Sequence, residues 1–186
     1  MFKWFRPAAL DPLSVSMAGA KLGDRVLVVG CSDPRLIAAL AAKTGLSGRA
    51  CAVDESSELA TAAGRVALKE GTLVETSSTP PTALAFERGS FDLVVLRDVL
   101  ATRDRQSRQL IVREAGRVLR PGGRCMVIDT LGRGGMAALL GAHPPSPTDD
   151  GAGEAFEILK SQGFVAVRTL AERDGLRFVE AIKKNS

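Results

Sequence analysis

Arg25-Val26-Leu27-Val28-Val29-Gly30-Cys31-Ser32-Asp33-Pro34 decides the fold of this 186-residue chain. Four consecutive apolar β-formers stop at Gly30, and a helix-period run opens at Arg35. A wholly apolar strand running straight into a helix is the pattern of a parallel strand buried on both faces. The carboxyl ends of such strands are where α/β sheets hold nucleotide-like ligands. Pro34 suits the first helical position, and Ser32 or Asp33 offers an oxygen to the free N–H groups behind it. Asp54 closes the next apolar run, Arg49 to Val53, near the interval at which an acid meets a ribose hydroxyl. Without a ligand, Gly30 only makes a turn and Asp54 only caps a strand, and a single glycine does not separate the two readings.

Length and composition fit one domain over residues 1–186 with a substantial core: 45% of residues are hydrophobic and 25% charged. A net charge of +4 is too small to imply a nucleic-acid partner by itself. The three cysteines, Cys31, Cys51 and Cys125, fall in or beside apolar strand patterns, as reduced core thiols of a cytoplasmic protein do. A single histidine, His143, excludes a histidine-based metal cluster. No apolar run approaches a membrane span, and none reads as a signal-peptide core.

Along the chain, residues 1–20 form an N-terminal segment in which Phe2, Trp4 and Phe5 are expected to dock on the domain or cover its ligand. Asp11 to Ala20 predicts a short helix. Leu36, Ile37, Leu40, Ala41 and Thr44 share one helix face, stopped by Gly45. Arg49 to Asp54 is the second strand. Ser57 opens a helix whose inner face is Leu59, Ala63 and Val66, and Thr72 to Thr76 is the third strand. Ser77 to Thr82, with two prolines, is loop. Phe91 to Leu96 is the fourth strand, followed by a helix from Asp104 to Leu119 with Ile111, Ala115 and Val118 inward. Pro121-Gly122-Gly123 turns the chain into a fifth strand, Cys125 to Ile128. Residues 132–153 form a Gly/Pro-rich loop. Ala155, Phe156 and Leu159 mark a last helix, and Phe164 to Leu170, a turn at Arg173-Asp174-Gly175 and Leu176 to Lys183 form a hairpin. Alternating strands and helices closed by an antiparallel hairpin predict an α/β, doubly wound sheet of seven strands.

Val26-Leu27-Val28-Val29-Gly30-Cys31, Asp54, Leu84-Ala85-Phe86, Gly89-Ser90-Phe91-Asp92-Leu93-Val94, Asp98-Val99-Leu100 and Leu119-Arg120-Pro121-Gly122-Gly123-Arg124 occur in the order of a known family. Over Lys21 to Asp129 the chain resembles class I S-adenosylmethionine-dependent methyltransferases, in particular the small group similar to the ubiquinone and menaquinone biosynthesis enzymes. The resemblance implies a mostly parallel sheet in the order 3-2-1-4-5-7-6, with strand seven antiparallel between strands five and six. It implies S-adenosylmethionine as cofactor, held by Gly30, Cys31, Ser32, Asp33, Asp54, Glu55, Thr82 and Arg97, and methyl transfer to a small-molecule acceptor. An oxygen acceptor needs a base, and His143, in the loop after strand five, is the candidate catalytic residue. The short segments available as a lid point to an open acceptor site, or one completed by a second copy or a partner protein.

The chain also departs from the family pattern. The usual loop reads Gly-x-Gly-x-Gly after an acidic strand residue; Val28, Gly30, Ser32 and Pro34 occupy those places here. No carboxylate stands at Pro80 to Thr82, where the family carries an acid near the adenine. Asp33 is the expected compensation, through the cofactor's ammonium group. Two further classes are therefore kept beside the small-molecule enzyme. One is a methyltransferase-fold protein with weakened cofactor binding that serves as an interaction module. The other is a nucleic-acid-facing enzyme using Arg103, Arg105, Arg108, Arg113, Arg117 and Arg120, although no aromatic platform is interleaved with those arginines. A nicotinamide dehydrogenase would need its third glycine at Arg35.

Overall fold

A computed structural model describes residues 11–101, 103–131 and 151–185. Within it Val26 to Val29 are buried at the centre of a sheet. The strands are β1 (Arg25–Val29), β2 (Arg49–Asp54), β3 (Glu75–Ser78), β4 (Phe91–Arg97), β5 (Leu119–Thr130), β6 (Phe164–Arg173) and β7 (Leu176–Lys183). They form one seven-stranded sheet in the order β3-β2-β1-β4-β5-β7-β6. The first five strands run parallel, and β7 lies antiparallel between β5 and β6. This is the expected strand order, with Leu27 of β1 directly opposite Val94 of β4.

Helices cover both faces, because β1, β4 and β5 are apolar on both sides and neither side can meet water. On one face α1 (Pro12–Ala18), α2 (Pro34–Thr44) and α3 (Ser57–Lys69) pack over Val26, Val28, Leu93, Val95 and Met126. On the other, α4 (Arg105–Val118) and α5 (Gly151–Ser161) cover Leu27, Val94, Leu96 and Val127 through Ile111, Ala115, Val118, Ile158 and Leu159. The α2 face is as expected: Leu36, Ile37, Leu40, Ala41 and Thr44 are all buried.

Four local expectations are corrected. The third strand begins at Glu75 and not Thr72, because Thr72 is used to close α3: its N–H and hydroxyl both donate to the Ala67 carbonyl, at 2.9 and 3.1 Å. The helix before it is capped by Ser56 rather than Ser57 and turns Ala60, Ala63 and Ala67 inward. Three alanines let α3 approach the sheet closely and leave Leu59 at the surface, 42% exposed. Finally, β5 starts at Leu119, ahead of the Pro-Gly-Gly turn. Leu119 pairs with Phe91 and Arg124 with Leu93, so residues 120–123 bulge from the strand. The bulge carries Arg120 back to Asp92, which accepts from its Nε at 2.5 Å and from Arg25 Nε at 3.1 Å.

The closing hairpin turns at Asp174-Gly175, with φ of 55° and 77°, the paired positive angles of a two-residue turn. Phe2, Trp4, Phe5 and His143 lie outside the described residues.

Candidate functional site

The ends of β1, β2 and β4 converge where the chain leaves the sheet after Val29, Asp54 and Arg97. Gly30 takes φ +96°, and a Cβ built there would stand 2.2 Å from the Arg97 carbonyl oxygen and 2.8 Å from Val99 Cγ1. No side chain fits at this position whether or not a ligand is bound. The Gly30 N–H donates to the Val53 carbonyl at 2.9 Å, which ties the loop to β2.

Asp54 completes the corner. Its Oδ2 accepts the Cys31 N–H at 2.7 Å and its Oδ1 accepts the Ser56 N–H at 2.8 Å. Each carboxylate oxygen keeps a further acceptor site, so the group is fixed by backbone while remaining able to receive two hydroxyls. Asp33 is the N-cap of α2, accepting the Leu36 N–H at 3.1 Å, with Pro34 in the first turn. These contacts give Ser-Asp-Pro its local role: Asp33 and Pro34 start the helix, and Ser32 faces the cleft.

A cavity opens above this corner, lined by Gly30, Ser32, Asp54, Glu55, Leu59, Pro81, Arg97, Asp98, Val99 and Arg103. Of the residues expected at the site, Gly30, Ser32, Asp54, Glu55 and Arg97 come together here. Three do not line it. The Cys31 side chain is fully buried, and burial, then the Asp54 charge, push its thiol up to about 12. Asp33 is spent on the helix cap, and Pro81 takes the place expected for Thr82.

The additional residues follow from the β4 end and its neighbours. Asp98 adopts φ 55°, a left-handed conformation uncommon outside glycine. That turn aims its carboxylate at β5: Oδ1 accepts the Thr130 N–H at 2.6 Å, and Oδ2 accepts the Thr130 hydroxyl at 3.0 Å and a bond from Arg97 Nη1. Arg97 Nη1 also reaches Thr130 Oγ1 at 3.2 Å. Arg103 Nη2 lies 2.7 Å from Glu55 Oε2, an ion pair across the cavity rim that raises the arginine's proton affinity.

Three carboxylates, Asp54, Glu55 and Asp98, stand against two guanidinium groups, Arg97 and Arg103, so the lining is mildly acidic. The chemistry of this donor set fits a cationic nucleoside with a ribose diol: Asp54 for the diol, Leu59 and Pro81 as apolar walls, and acidic groups for positive charge. Two of the arginines considered for a nucleic-acid face are engaged within the domain. Arg117 bonds Glu114 at 2.8 Å and the Leu84 and Phe86 carbonyls at 2.8 and 2.7 Å, and Arg120 pairs with Asp92. Among the described residues no group of three or more ligands could hold a metal ion, and no helix is long and apolar enough to cross a membrane.

Comparison with known proteins agrees with this geometry. A family model described as a methyltransferase domain matches residues 26–123, just over half of the chain. A curated relative, the chloroplastic 2-phytyl-1,4-beta-naphthoquinone methyltransferase of Arabidopsis thaliana, is 36% identical over 121 residues, 63% of this chain. The chain spans a little under half of that relative, 46% of its length. Among solved structures, a SAM-dependent methyltransferase from Aquifex aeolicus superposes with a TM-score of 0.72 at 20% identity, covering 92% of this chain and 93% of that one. The cyclase SpnF gives a TM-score of 0.71 at 17% identity over 94% of this chain and 80% of that one. At those identities the structures establish the fold, which serves more than one chemistry. The family match, the strand order and the Gly30–Asp54 corner together establish that the chain belongs to the class I S-adenosylmethionine-dependent methyltransferases.

Proposed function

We propose that the protein transfers a methyl group from S-adenosylmethionine to a small-molecule acceptor. The observation that carries this is the Asp54 carboxylate, fixed by the Cys31 and Ser56 N–H groups at the lip of a cleft whose floor is Gly30. When bound, S-adenosylmethionine supplies an electrophilic methyl group on a positively charged sulfur. The chain's contribution is binding and alignment, since in-line displacement needs its reactants held in register more than it needs a nucleophile.

In this reading Asp54 receives the two ribose hydroxyls, and Leu59 and Pro81 flank the base. Ser32, Arg97 and Asp98 hold the amino-acid end, the guanidinium toward its carboxylate and Asp98 toward its ammonium. Glu55, tied to Arg103, keeps the rim closed on the ribose side. The excess of one carboxylate in the lining complements the ligand's net positive charge. We propose further that residues 1–186 act as one cytoplasmic domain.

Calorimetric titration with S-adenosylhomocysteine tests the reading. Measurable binding that is lost or strongly weakened in Asp54→Ala supports it. A parent protein that binds no S-adenosylhomocysteine would instead make the chain an interaction module on a methyltransferase fold.

A further inference from the structure

A second cavity opens at the opposite end of the sheet from the Gly30–Asp54 corner and shares no lining residue with the first. The topology brings four segments to it: Arg88 ahead of β4, the last turns of α4, Gln162 to Phe164 where α5 passes into β6, and the end of β7. Phe164, which opens β6, pairs with Lys183 near the end of β7. In α4, Arg113, Gly116 and Arg117 line the cavity from one helix face, three and four residues apart. A Cβ on Gly116 would stand 3.3 Å from Phe164 Cε2, so the glycine lets the buried ring lie close against the helix. The volume, about 490 Å³, is that of a small-molecule site.

The charge of this lining is unbalanced. Arg88, Arg113, Arg117, Lys183 and Lys184 face a single carboxylate, Glu114. Glu114 is already engaged: it accepts Arg117 Nε and Nη2, each at 2.8 Å, and the Leu84 N–H at 2.8 Å. Lys183 Nζ donates to the Leu119 carbonyl at 2.5 Å, which keeps its charge and leaves two N–H groups. Arg88, Arg113 and Lys184 are exposed and make no hydrogen bond or ion pair among the described residues. The lining thus holds an excess of four positive charges, equal to the net charge of the whole chain. Burial first, then the Arg88 charge, lowers the proton affinity of Lys183, so two of these cations are held within each other's field.

The shape of the patch selects among anionic partners. Phe164 is the one aromatic ring in the lining and is 4% exposed, so it offers no platform for a base and nothing to insert into a bilayer. Four cations around one concavity match a compact anion of several charges, and guanidinium groups take phosphate oxygens in pairs. We propose that this cavity binds a polyphosphate chain, the di- or triphosphate group of a nucleotide or of an inorganic polyphosphate. Arg88, Arg113 and Lys184 contact its oxygens from the open side, and half-buried Lys183 from within. The site is separate from the cofactor cleft and does not rest on methyl transfer.

The test is calorimetric titration of the full chain with inorganic tripolyphosphate in magnesium-free buffer, with amide NMR to locate the site. Tripolyphosphate is expected to bind one to one, at least about tenfold more tightly than orthophosphate, because the lining responds to the number of charges. The amides of Arg88, Arg113 and Lys184 should shift while those of Gly30 and Asp54 stay. Arg88→Gln with Arg113→Gln should weaken binding at least about tenfold, and Lys184→Gln alone by a smaller factor. All three side chains are exposed, so thermal unfolding of these variants should match the parent. GTP and CTP should bind alike. A GTP affinity above that of tripolyphosphate assigns the chain to a nucleotide, and one below it to an inorganic polyphosphate. No binding, equal affinity for orthophosphate and tripolyphosphate, shifts confined to the Gly30–Asp54 corner, or undiminished binding in the variants would overturn the proposal. Capture of the parent by phosphatidylserine vesicles without affinity for tripolyphosphate would also overturn it, making this face a membrane contact.

Discussion

Asp54 Oδ2 lies 2.7 Å from the Cys31 amide nitrogen, so the carboxylate at the end of β2 directly holds the loop that ends β1. One side chain thus shapes the cleft and presents a carboxylate to it. Asp54→Ala should weaken S-adenosylhomocysteine binding by about 2 kcal/mol, the scale of hydrogen bonds to a charged acceptor. Titration calorimetry of the two proteins would show a roughly thirtyfold rise in Kd. Unchanged affinity would mean that the nucleoside is held by other groups.

Gly30→Ala should cost more in stability than a loop substitution normally does. The added methyl would enter the Arg97 carbonyl at 2.2 Å on a backbone already at φ +96°. The loss should exceed about 2 kcal/mol, combining left-handed strain with a backbone clash. Thermal unfolding should show a fall in Tm of at least about 5 °C.

The loop after β1 gives a paired prediction. Ser32→Gly with Pro34→Gly should not improve binding, because Pro34 and Asp33 build the start of α2 rather than block the cleft. The double variant should lose about 1–2 kcal/mol of stability through a larger unfolded ensemble. Asp33→Ala should lose about 1 kcal/mol as a missing cap and change cofactor affinity little. A marked gain in affinity from the glycines would show that the present loop obstructs the site.

The pH dependence of stability should have two limbs of opposite sign. Burial pushes Asp92 up, but hydrogen bonds from Arg25 and Arg120 outweigh it and hold the carboxyl at about 2. Its folded value lies below the usual one, so its contribution is present above pH 4 and is lost as pH falls towards 2. Asp129, raised to about 6, acts the other way: the native state binds the extra proton between pH 4 and 6, and stability falls as pH rises through that window. Asp129→Asn should therefore raise stability at pH 7 by about 2 kcal/mol and flatten the pH 4–6 slope. Chemical denaturation at pH 2, 4, 6 and 7 would separate the limbs.

The sheet was legible because β1, β4 and the final hairpin carry unambiguous patterns: unbroken apolar runs for buried parallel strands, and Asp174-Gly175 for the turn. The edge strand β3 was not. Its residues Glu75 to Ser78 are polar, and Thr72, the threonine expected to start it, closes the preceding helix. The Leu59 error has the same origin, since periodicity favours the large apolar residue while close packing here favours Ala60, Ala63 and Ala67. At the site, Gly30 and Asp54 could be read from their places at strand ends. Asp98 could not, because its role depends on a left-handed turn that the residue type does not announce.

The clash that excludes a Cβ at Gly30 is with the protein's own Arg97 carbonyl and Val99. The selective pressure for glycine at this position is therefore architectural, and a descendant that abandoned methyl transfer would keep it as faithfully as an active enzyme. Sorting working members from silent ones by that glycine alone would count scaffolds as catalysts. The informative positions are those whose chemistry the sheet does not require for its own closure.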